Sequence, residues 1–595
     1  MNVFPLALGS ALLVPVALAR LFVLARWRAG WAMYLANVFW EVFPKKLGIG
    51  RWTMEALAAV AGLALLAWGG GSWIAAGGIG AALLALEFAN RRWERRLVAG
   101  PMPAGLILTV EAPFIERLPR YRLGTLWAGM PFDVELIVGN PSPAASLPVK
   151  VRLDAPIAWL DGESAEQTPG AIAAGGVGRA KWTLRPKKSE AGGALEIVVE
   201  EGSARRRIRL AYDGSRSAAD APPVRAAISR YPGARRSAFA WRGDMDLYDV
   251  GTFQSIEGLE TALALSARYA FPQTMCLSTR LSFDGDAARQ FAEHGGAATG
   301  ADEIPRFVGW LREKVELRHS CAFPAQSKAK PYLMELGNHG HLHYDTAASA
   351  AAENGWKSHA RMGAGRYPWM GEDASSFGEQ RDNILEAARW CRRLLDFVPR
   401  SWAKPGRCND ADTARAAEAA GCEVLSGSDI RARDNVLFQP PPHHPGATGA
   451  VELTSRYPPD PQHVAHFAML RFWLNRARRL GRPMVFMCHQ HMRQWEGRAC
   501  ARFTEHVIRS ALADFHGEFY VDTLFGVGKY WREALSPKTR RVAVSLEGTR
   551  LAVDNRSDAD FERVPVDVER ENGIRSAVLV SVRSGQRTVL DLREE

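Results

Sequence analysis

Long apolar stretches open the chain, and their lengths predict membrane-spanning helices. The first runs over residues 3–25, long enough to cross a bilayer, with Arg20 near one end where its guanidinium can reach the headgroups. A second apolar block, residues 54–89, is divided by three glycines at 69–71. At ~1.5 Å per residue it is too long for one span, so it predicts two spans joined by a glycine turn. The aromatic segment 31–43 is typical of an interfacial helix.

Two alternatives compete with these spans. A cleaved signal peptide usually has basic residues before its apolar run, and only Met1 and Asn2 stand there. A buried soluble hairpin is disfavoured by the near absence of charge inside the second block. Basic clusters at 26–51 and 91–96 fall on one side of three spans, and the positive-inside rule predicts that this side, with everything after residue 96, is cytoplasmic.

After the spans, apolar and polar residues alternate with a period of two, which predicts strands from about 104 to 213. The clearest cases are 132–138, 149–153 and 195–200. Glycine, proline and asparagine separate them, so the pattern predicts a small β-sandwich, with an immunoglobulin-like arrangement as one option. A polar linker follows at 215–223, and the alternation returns in a small C-terminal β module.

The pattern changes between about 225 and 535, where helical and strand patterns alternate. Residues 257–269 and 380–397 have apolar positions at helical spacing, and 484–488 form a short apolar strand. Such alternation predicts an α/β barrel or sheet.

Composition narrows the class of protein. The chain has 595 residues, 47% of them hydrophobic and 23% charged, which predicts several folded domains. The net charge of +11 is compatible with binding to nucleic acid, to an anionic membrane surface or to an acidic substrate. Without zinc-finger spacing or an RNA-binding aromatic signature, the membrane is favoured over nucleic acid. The seven cysteines are odd in number and lack a CxxC, so we expect buried thiols, with a Cys408–Cys422 bridge left open.

Three segments carry candidate chemistry. In the first, Asp244 and Asp246 end an apolar run, and in a strand residues i and i+2 point to the same face. One carboxylate can then bind a metal while the other handles a proton. In the second, ELGNHGHLH at 335–343, His339 and His343 are four residues apart and share a face of a helix or turn. Two imidazoles and one carboxylate are typical of a catalytic zinc site.

His341 lies off that shared face and is interpreted as a supporting residue or bystander. In the third segment His489 directly follows the apolar strand 484–488, and strand carboxyl ends are where α/β barrels place active groups. His489 is thus a candidate to donate a proton to a leaving amine, with His491 as its close competitor.

Together these segments resemble the polysaccharide deacetylase family, the carbohydrate esterases that include chitin and peptidoglycan deacetylases. Residues 335–343 resemble the family's metal-binding motif, and Asp244 to Asp246 resembles its aspartate motif, in which the first Asp is the base and the second a metal ligand. His489 matches the family's final histidine. In the segment that usually carries an Arg before Pro, this chain has Lys404, with Arg407 nearby.

The resemblance covers about half of the chain and implies a distorted (β/α) barrel there. It implies that Asp246, His339 and His343 hold a divalent metal, with Zn²⁺ expected, and that Lys404 stands where the family orients its base. The expected architecture is multidomain. Its parts are a membrane anchor at 1–100, a β-sandwich at 104–213, a deacetylase-like domain at 225–535 and a β module at 538–595.

The predicted function is metal-dependent removal of an acyl group, N-acetyl above all, from an amino sugar of a polysaccharide, peptidoglycan or lipid-linked glycan. Trp241, Trp356, Trp369 and Trp402 could stack on sugar rings or belong to the core. The alternatives are a weak or inactive module that binds a glycan or a partner, and a cyclic imide hydrolase. We expect an integral protein of a bacterial-type inner membrane. Family habit predicts an extracytoplasmic catalytic domain, against the arginine distribution.

Overall fold

The computed structural model describes most of the chain in separate ranges. They are residues 3–25, 31–46, 50–70, 72–102, 105–117, 121–160, 162–187, 190–245, 256–279, 303–322, 327, 329–341, 376–404, 411–427, 449–453, 455–456, 463–489, 495, 497–514 and 517–593. Asp246, His343, Trp356, Trp369, Arg407, Cys408 and His491 lie outside these residues.

The N-terminal region is a bundle of helices. These are α1 (Val3–Ala25), α2 (Trp31–Lys46), α3 (Arg51–Gly70) and α4 (Trp73–Ala99). By length and composition α1, α3 and α4 could each cross a membrane, in agreement with the predicted spans. The break between α3 and α4 falls at the predicted glycine turn. Helices α1 and α3 approach closely at Gly62, where a Cβ would come within 2.7 Å of Leu13 Cγ, so only glycine permits this packing.

Two sheets follow the helices. Their strands are β1 (Ile107–Glu111), β2 (Tyr121–Trp127), β3 (Phe132–Gly139), β4 (Pro148–Asp154), β5 (Glu166–Ala171), β6 (Val177–Leu184), β7 (Ala191–Glu201) and β8 (Ala204–Arg216). The sheet orders are β1-β3-β6 and β2-β8-β7-β4-β5. Alternate residues of both sheets share one core around the fully buried Trp159 and Trp182. The alternating pattern thus corresponds to half-buried strands.

The next strand, β9 (Pro223–Ile228), joins the C-terminal sheets. Those sheets contain β20 (Val542–Glu547), β21 (Arg550–Asn555), β22 (Phe561–Arg570), β23 (Arg575–Val582) and β24 (Arg587–Asp591). Their orders are β20-β21-β24 and β23-β22-β9. The segment expected to begin the α/β region therefore contributes its first strand to the C-terminal module instead.

Between these parts lies a curled parallel sheet. Its strands are β10 (Ser237–Met245), β11 (Gln273–Leu277), β12 (Val315–Leu317), β13 (Tyr332–Asn338), β14 (Ser401–Ala403), β15 (Val424–Ser426), β16 (Val451–Glu452), β17 (Ser455–Arg456), β18 (Met484–Cys488) and β19 (Phe519–Val521). Eight follow the order β16-β15-β14-β13-β11-β10-β18-β17, with β12 on β13 and β19 on β10.

Helices surround this sheet. They are α5 (Ile256–Tyr269), α6 (Glu303–Lys314), α7 (Phe377–Leu395), α8 (Ala411–Ala419), α9 (Val464–Leu480), α10 (Arg498–Arg509) and α11 (Leu524–Tyr530). The strands are apolar on both faces because helices cover one face and the curled interior lies on the other. The predicted helices near 257 and 380 and the strand at 484–488 are confirmed.

Helices α9 and α10, which precede and follow β18, attach the sheet to the N-terminal helical bundle. The ring of Tyr34 in α2 stacks on Phe472 at 4.7 Å, and its hydroxyl accepts a hydrogen bond from Trp473 Nε1 at 2.8 Å. Arg502 of α10 donates to the carbonyl oxygen of Gly100. The strand that leads to His489 is therefore held directly beside the N-terminal helical bundle.

Candidate active site at the strand ends

Four of the predicted site residues lie at the carboxyl ends of parallel strands. Asp244 is the penultimate residue of β10, while His339, Lys404 and His489 directly follow β13, β14 and β18. Strands β10 and β18 are neighbours in parallel register, with Gly243 opposite Cys488, which places Asp244 beside His489. Because parallel strands end at one edge of a sheet, residues from distant parts of the chain meet there.

Asp244 is held by an arginine of its own strand. Arg242 Nε donates to Asp244 Oδ1 at 2.6 Å and its Nη2 donates to Oδ2, so the pair is bidentate. Arg242 Nη1 donates to the carbonyl oxygen and the hydroxyl of Ser426, at 3.1 and 2.9 Å. Both members of the pair are buried. The guanidinium is thus fixed on one side by β15 and orients the carboxylate on the other.

The charge environment keeps Asp244 ionised. Burial alone raises the pKa of this carboxyl, but the charge and hydrogen bonds of Arg242, with contributions from His339 and His489, outweigh burial, and the pKa lies below its ordinary value. The two histidines act on the same carboxylate. The structure therefore brings Asp244, His339 and His489 into one electrostatic group.

The ring of His339 has a defined tautomer. Its Nδ1 lies 2.6 Å from the carbonyl oxygen of Ala403, and because a carbonyl only accepts, Nδ1 carries the hydrogen. In the neutral ring Nε2 then has the lone pair that a metal needs, and a histidine ligand commonly donates its other N–H to a backbone carbonyl in this way. Asn338 shapes the turn before it: Asn338 Oδ1 accepts from the N–H of Gly340, whose φ of +88° suits glycine.

His341 and Lys404 take other surroundings. The His341 ring lies 5.7 Å from that of Trp390 in α7, and its Nδ1 is 3.2 Å from Thr279 Oγ1. Lys404 is buried and donates from Nζ to Thr413 Oγ1 at 3.0 Å. The guanidinium that orients Asp244 comes from Arg242, two residues earlier on β10.

Sequence reasoning overlooked Arg242 and a second group of polar residues inside the sheet. Glu335 in β13 is buried and accepts from Thr274 Oγ1 at 2.7 Å, Ser401 Oγ at 2.6 Å and the N–H of Phe525 at 3.1 Å. Burial raises the pKa of Glu335 to about 7 against the lowering effect of these hydrogen bonds. Polar residues within otherwise apolar strands were the signal available in the sequence.

Two of the four tryptophans that were candidates for sugar stacking lie in the described part of the chain. Trp241 and Trp402 are fully buried, and Trp241 packs near Phe486 and Trp495 with its Nε1 donating to Cys488 Sγ at 2.8 Å. These two are core residues. The buried thiols expected from the cysteine count are confirmed for the cysteines within the described ranges, Cys422 among them.

Of the three expected metal ligands, His339 is the one that the structure describes. Its tautomer suits a ligand, while Asp246 and His343, the other two expected ligands, lie outside the described residues. Within the described part of the chain no cluster of three or more metal-ligating side chains occurs. The structure shows the Asp244–Arg242 ion pair with His339 and His489 near it.

Comparisons with known proteins give similar solved structures. No family model and no curated protein matches the chain. A structure named for a polysaccharide deacetylase of Mycobacterium smegmatis is 14% identical over 55% of this chain and 99% of its own, with a TM-score of 0.32. A peptidoglycan deacetylase from Bacillus subtilis is 11% identical over 50% of this chain and 93% of its own, at 0.23.

A third similar structure is a pseudoenzyme of the CE4 family from Bacillus anthracis, 12% identical over 56% of this chain and 86% of its own, with a TM-score of 0.23. Two of these three structures are named for deacetylases and the third for a pseudoenzyme. Their identities and TM-scores are too low to assign a function to this chain.

Proposed function

We propose that the chain is a hydrolase that removes an acyl group, N-acetyl above all, from an amino sugar of a glycan at the membrane. The observation that carries this proposal is the buried Asp244–Arg242 pair beside His339 and His489 at one sheet edge. A carboxylate kept ionised in a buried site is suited to accept a proton. The neighbouring imidazoles supply a ligand and an acid.

In this mechanism each residue has one task. Asp244 takes a proton from the attacking water while Arg242 keeps its carboxylate oriented. His489 gives a proton to the departing amine as the carbon–nitrogen bond breaks and the new carbon–oxygen bond forms, so the products are a carboxylic acid and a free amine. The same ion pair that lowers the pKa of Asp244 keeps the base ready at neutral pH.

The metal would be held by His339 together with Asp246 and His343, with Zn²⁺ as the expected ion. When bound, a divalent metal polarises the acyl carbonyl and makes its water more acidic. The hydrogen bond from His339 Nδ1 to Ala403 supports this assignment because it leaves Nε2 for the ion.

The test measures acetate release and metal content of the full-length protein in detergent. With an N-acetylated glucosamine oligomer we expect acetate and free amine in equal amounts, and about one divalent metal per chain. His339→Ala should lose both. A matched control, His319→Ala, removes a half-buried histidine near Phe397 and should keep both once folding is verified. Metal binding without acetate release from any N-acetylated glycan would favour the inactive binding module, and equal metal in wild type and His339→Ala would refute the site.

The membrane location of the proposed activity needs its own test. Three helices long enough to span support an integral protein. A reporter fused after residue 100 fixes the side of the catalytic region. A cytoplasmic result would agree with the arginine distribution, and the opposite result with the expectation from family resemblance.

A further inference from the structure

One row of side chains along α4 changes from apolar to cationic at the end of the span. Leu84, Phe88, Arg92 and Arg96 follow one another at intervals of four residues, so they lie near one face of the helix at steps of about 6 Å. Leu84 and Phe88 are 73% and 67% exposed. In a bilayer this apolar part of the row faces lipid chains, and the two arginines follow at the level of the headgroups.

A cavity of about 350 Å³ lies at this level. It is lined by Leu24 from the end of α1 and by Ala89, Arg92, Trp93 and Arg96 from α4. The lining combines an apolar wall, an aromatic ring of the type found at membrane interfaces, and two cationic side chains one turn apart. Such a lining matches a molecule with a hydrocarbon chain and an anionic head.

The arginines of this region differ in their partners. Arg20 and Arg51 bind the buried Glu55, and Arg91 pairs with Glu87 at 2.8 Å. Among the described residues, in contrast, the side chains of Arg92 and Arg96 have no carboxylate partner. The arginines that bind other residues of the bundle are thus paired with glutamates. The two guanidinium groups at the cavity, Arg92 and Arg96, have no counter-charge among the described residues.

We propose that this cavity binds the phosphate headgroup of an anionic glycerophospholipid, with one acyl chain along Leu84 and Phe88. Charge complementarity selects the occupant, because two adjacent guanidinium groups favour a phosphate with net negative charge. The order of residues along α4 sets the orientation of the lipid, with its phosphate at Arg92 and Arg96 and its acyl chain toward the middle of the bilayer. This site is independent of the proposed hydrolase.

The bound lipid would also steady the junction between anchor and sheet. Next to the cavity, the Trp93 ring lies 6.0 Å from that of Phe467 in α9, and Glu94 Oε2 accepts from the N–H of Val464 at the start of α9, at 3.4 Å. The headgroup therefore lies beside the helix that precedes β18. Lipid binding should raise the thermal stability of the full-length protein.

The experiment measures lipid retention by native mass spectrometry of the full-length protein in detergent, after addition of phosphatidylglycerol or phosphatidylcholine with the same chains. We expect preferential retention of phosphatidylglycerol. Each of Arg92→Gln and Arg96→Gln should weaken that retention about fivefold, since each removes an exposed ion pair with the phosphate, and such a pair contributes up to about that factor. The matched control is Arg95→Gln, which removes the same charge outside the cavity lining, where salt screens its interaction with the phosphate, and it should retain the lipid within about twofold.

A second variant keeps the charge and changes the shape. Ala89→Leu should fill part of the cavity and weaken phosphatidylglycerol retention even if the two glutamine variants prove unstable. Equal retention of both phospholipids, or an equal loss in Arg95→Gln, would overturn the proposal. Retention of a polyprenyl phosphate but not of phosphatidylglycerol would overturn the assigned occupant and give the cavity to a lipid-linked molecule.

Discussion

Asp244 and Asp522 are two buried aspartates of the same parallel sheet, and their surroundings differ in one respect. Asp244 is bound by the guanidinium of Arg242. Asp522 follows β19. Within the described ranges it accepts from neutral donors alone, namely the Tyr520 hydroxyl, Ser320 Oγ and the N–H groups of Cys321 and Thr523, at 2.5 to 2.7 Å.

The outcome of burial is opposite for the two carboxyls. Burial raises the pKa of Asp522, and its hydrogen bonds do not offset that effect. For Asp244 burial also raises the pKa, but the guanidinium of Arg242, with contributions from His339 and His489, reverses the sign. The charge of the partner, and not the degree of burial, therefore separates a carboxylate suited to proton transfer from one that holds two loops together.

The largest expected effect is the loss of deacetylation when Asp244, and not Asp522, is replaced by asparagine. Asp244→Asn should lower deacetylation per folded molecule by roughly 10²-fold or more, since it removes the proposed general base. It should keep its metal, because Asp244 is not among the expected ligands. Acetate release and elemental analysis measure both.

Asp522→Asn is the matched variant for that measurement, and its folded fraction should keep activity within a few-fold of wild type. A result in which Asp522→Asn loses as much activity as Asp244→Asn would show that the two sites do not differ in the way proposed. Loss of metal in Asp244→Asn would assign this residue to the ligand set instead.

The second effect is on stability. Asp522→Ala removes the shared acceptor of four donors and leaves buried N–H and O–H groups unsatisfied, so we expect the free energy of unfolding to fall by about 3 kcal/mol. Ser320→Ala removes a single donor and should cost about 1 kcal/mol. Denaturant titration of the full chain in detergent compares them. Equal stability of Asp522→Ala and wild type would mean that the cluster is not a structural clamp.

A third, smaller effect concerns Arg242. Arg242→Gln should lower kcat/KM about tenfold at neutral pH, because Asp244 remains as the general base but loses the guanidinium that orients its carboxylate. Asp244 has a lowered pKa in the native protein, so activity is lost only as pH falls through that value; without the guanidinium the pKa rises and the acid limb moves to higher pH.

Arg242→Lys tests whether charge or geometry matters. It keeps the positive charge but loses the bidentate fork, so the acid limb should stay closer to wild type while the rate remains reduced. A pH–rate profile that does not move in either variant would exclude Arg242 as the residue that positions Asp244.

Local pattern predicted much of this arrangement. The apolar spans, the strand before His489 and the aspartate at the end of β10 follow from periodicity and from residue types. Arg242 was within reach of the same reasoning, since it shares the face of Asp244 at position i−2. The hydrogen bonds around Asp522 could not be predicted in this way. Cys321 and Asp522 are 201 residues apart, and they meet because the curled sheet brings distant segments together. The pairing of β9 with β22 is a contact of the same long-range kind.

The smallest effect extends the comparison to Glu335, which like Asp522 is buried among neutral donors. Its pKa of about 7 lies above the ordinary 4.5, so the folded state favours the protonated form. The stability that Glu335 contributes is complete below pH 4.5 and is lost as pH rises to about 7, by no more than about 1.4 kcal/mol per pH unit.

Glu335→Gln should remove this dependence. The free energy of unfolding of wild type minus that of the variant should therefore fall across that window and stay constant above it. Unfolding of chelator-treated protein from pH 4.5 to 8 measures the difference. Glu518, whose pKa burial also raises to about 7, is present in both proteins and cancels. A difference that stays constant or grows with pH would place Glu335 with Asp244, as a carboxylate stabilised in its charged form.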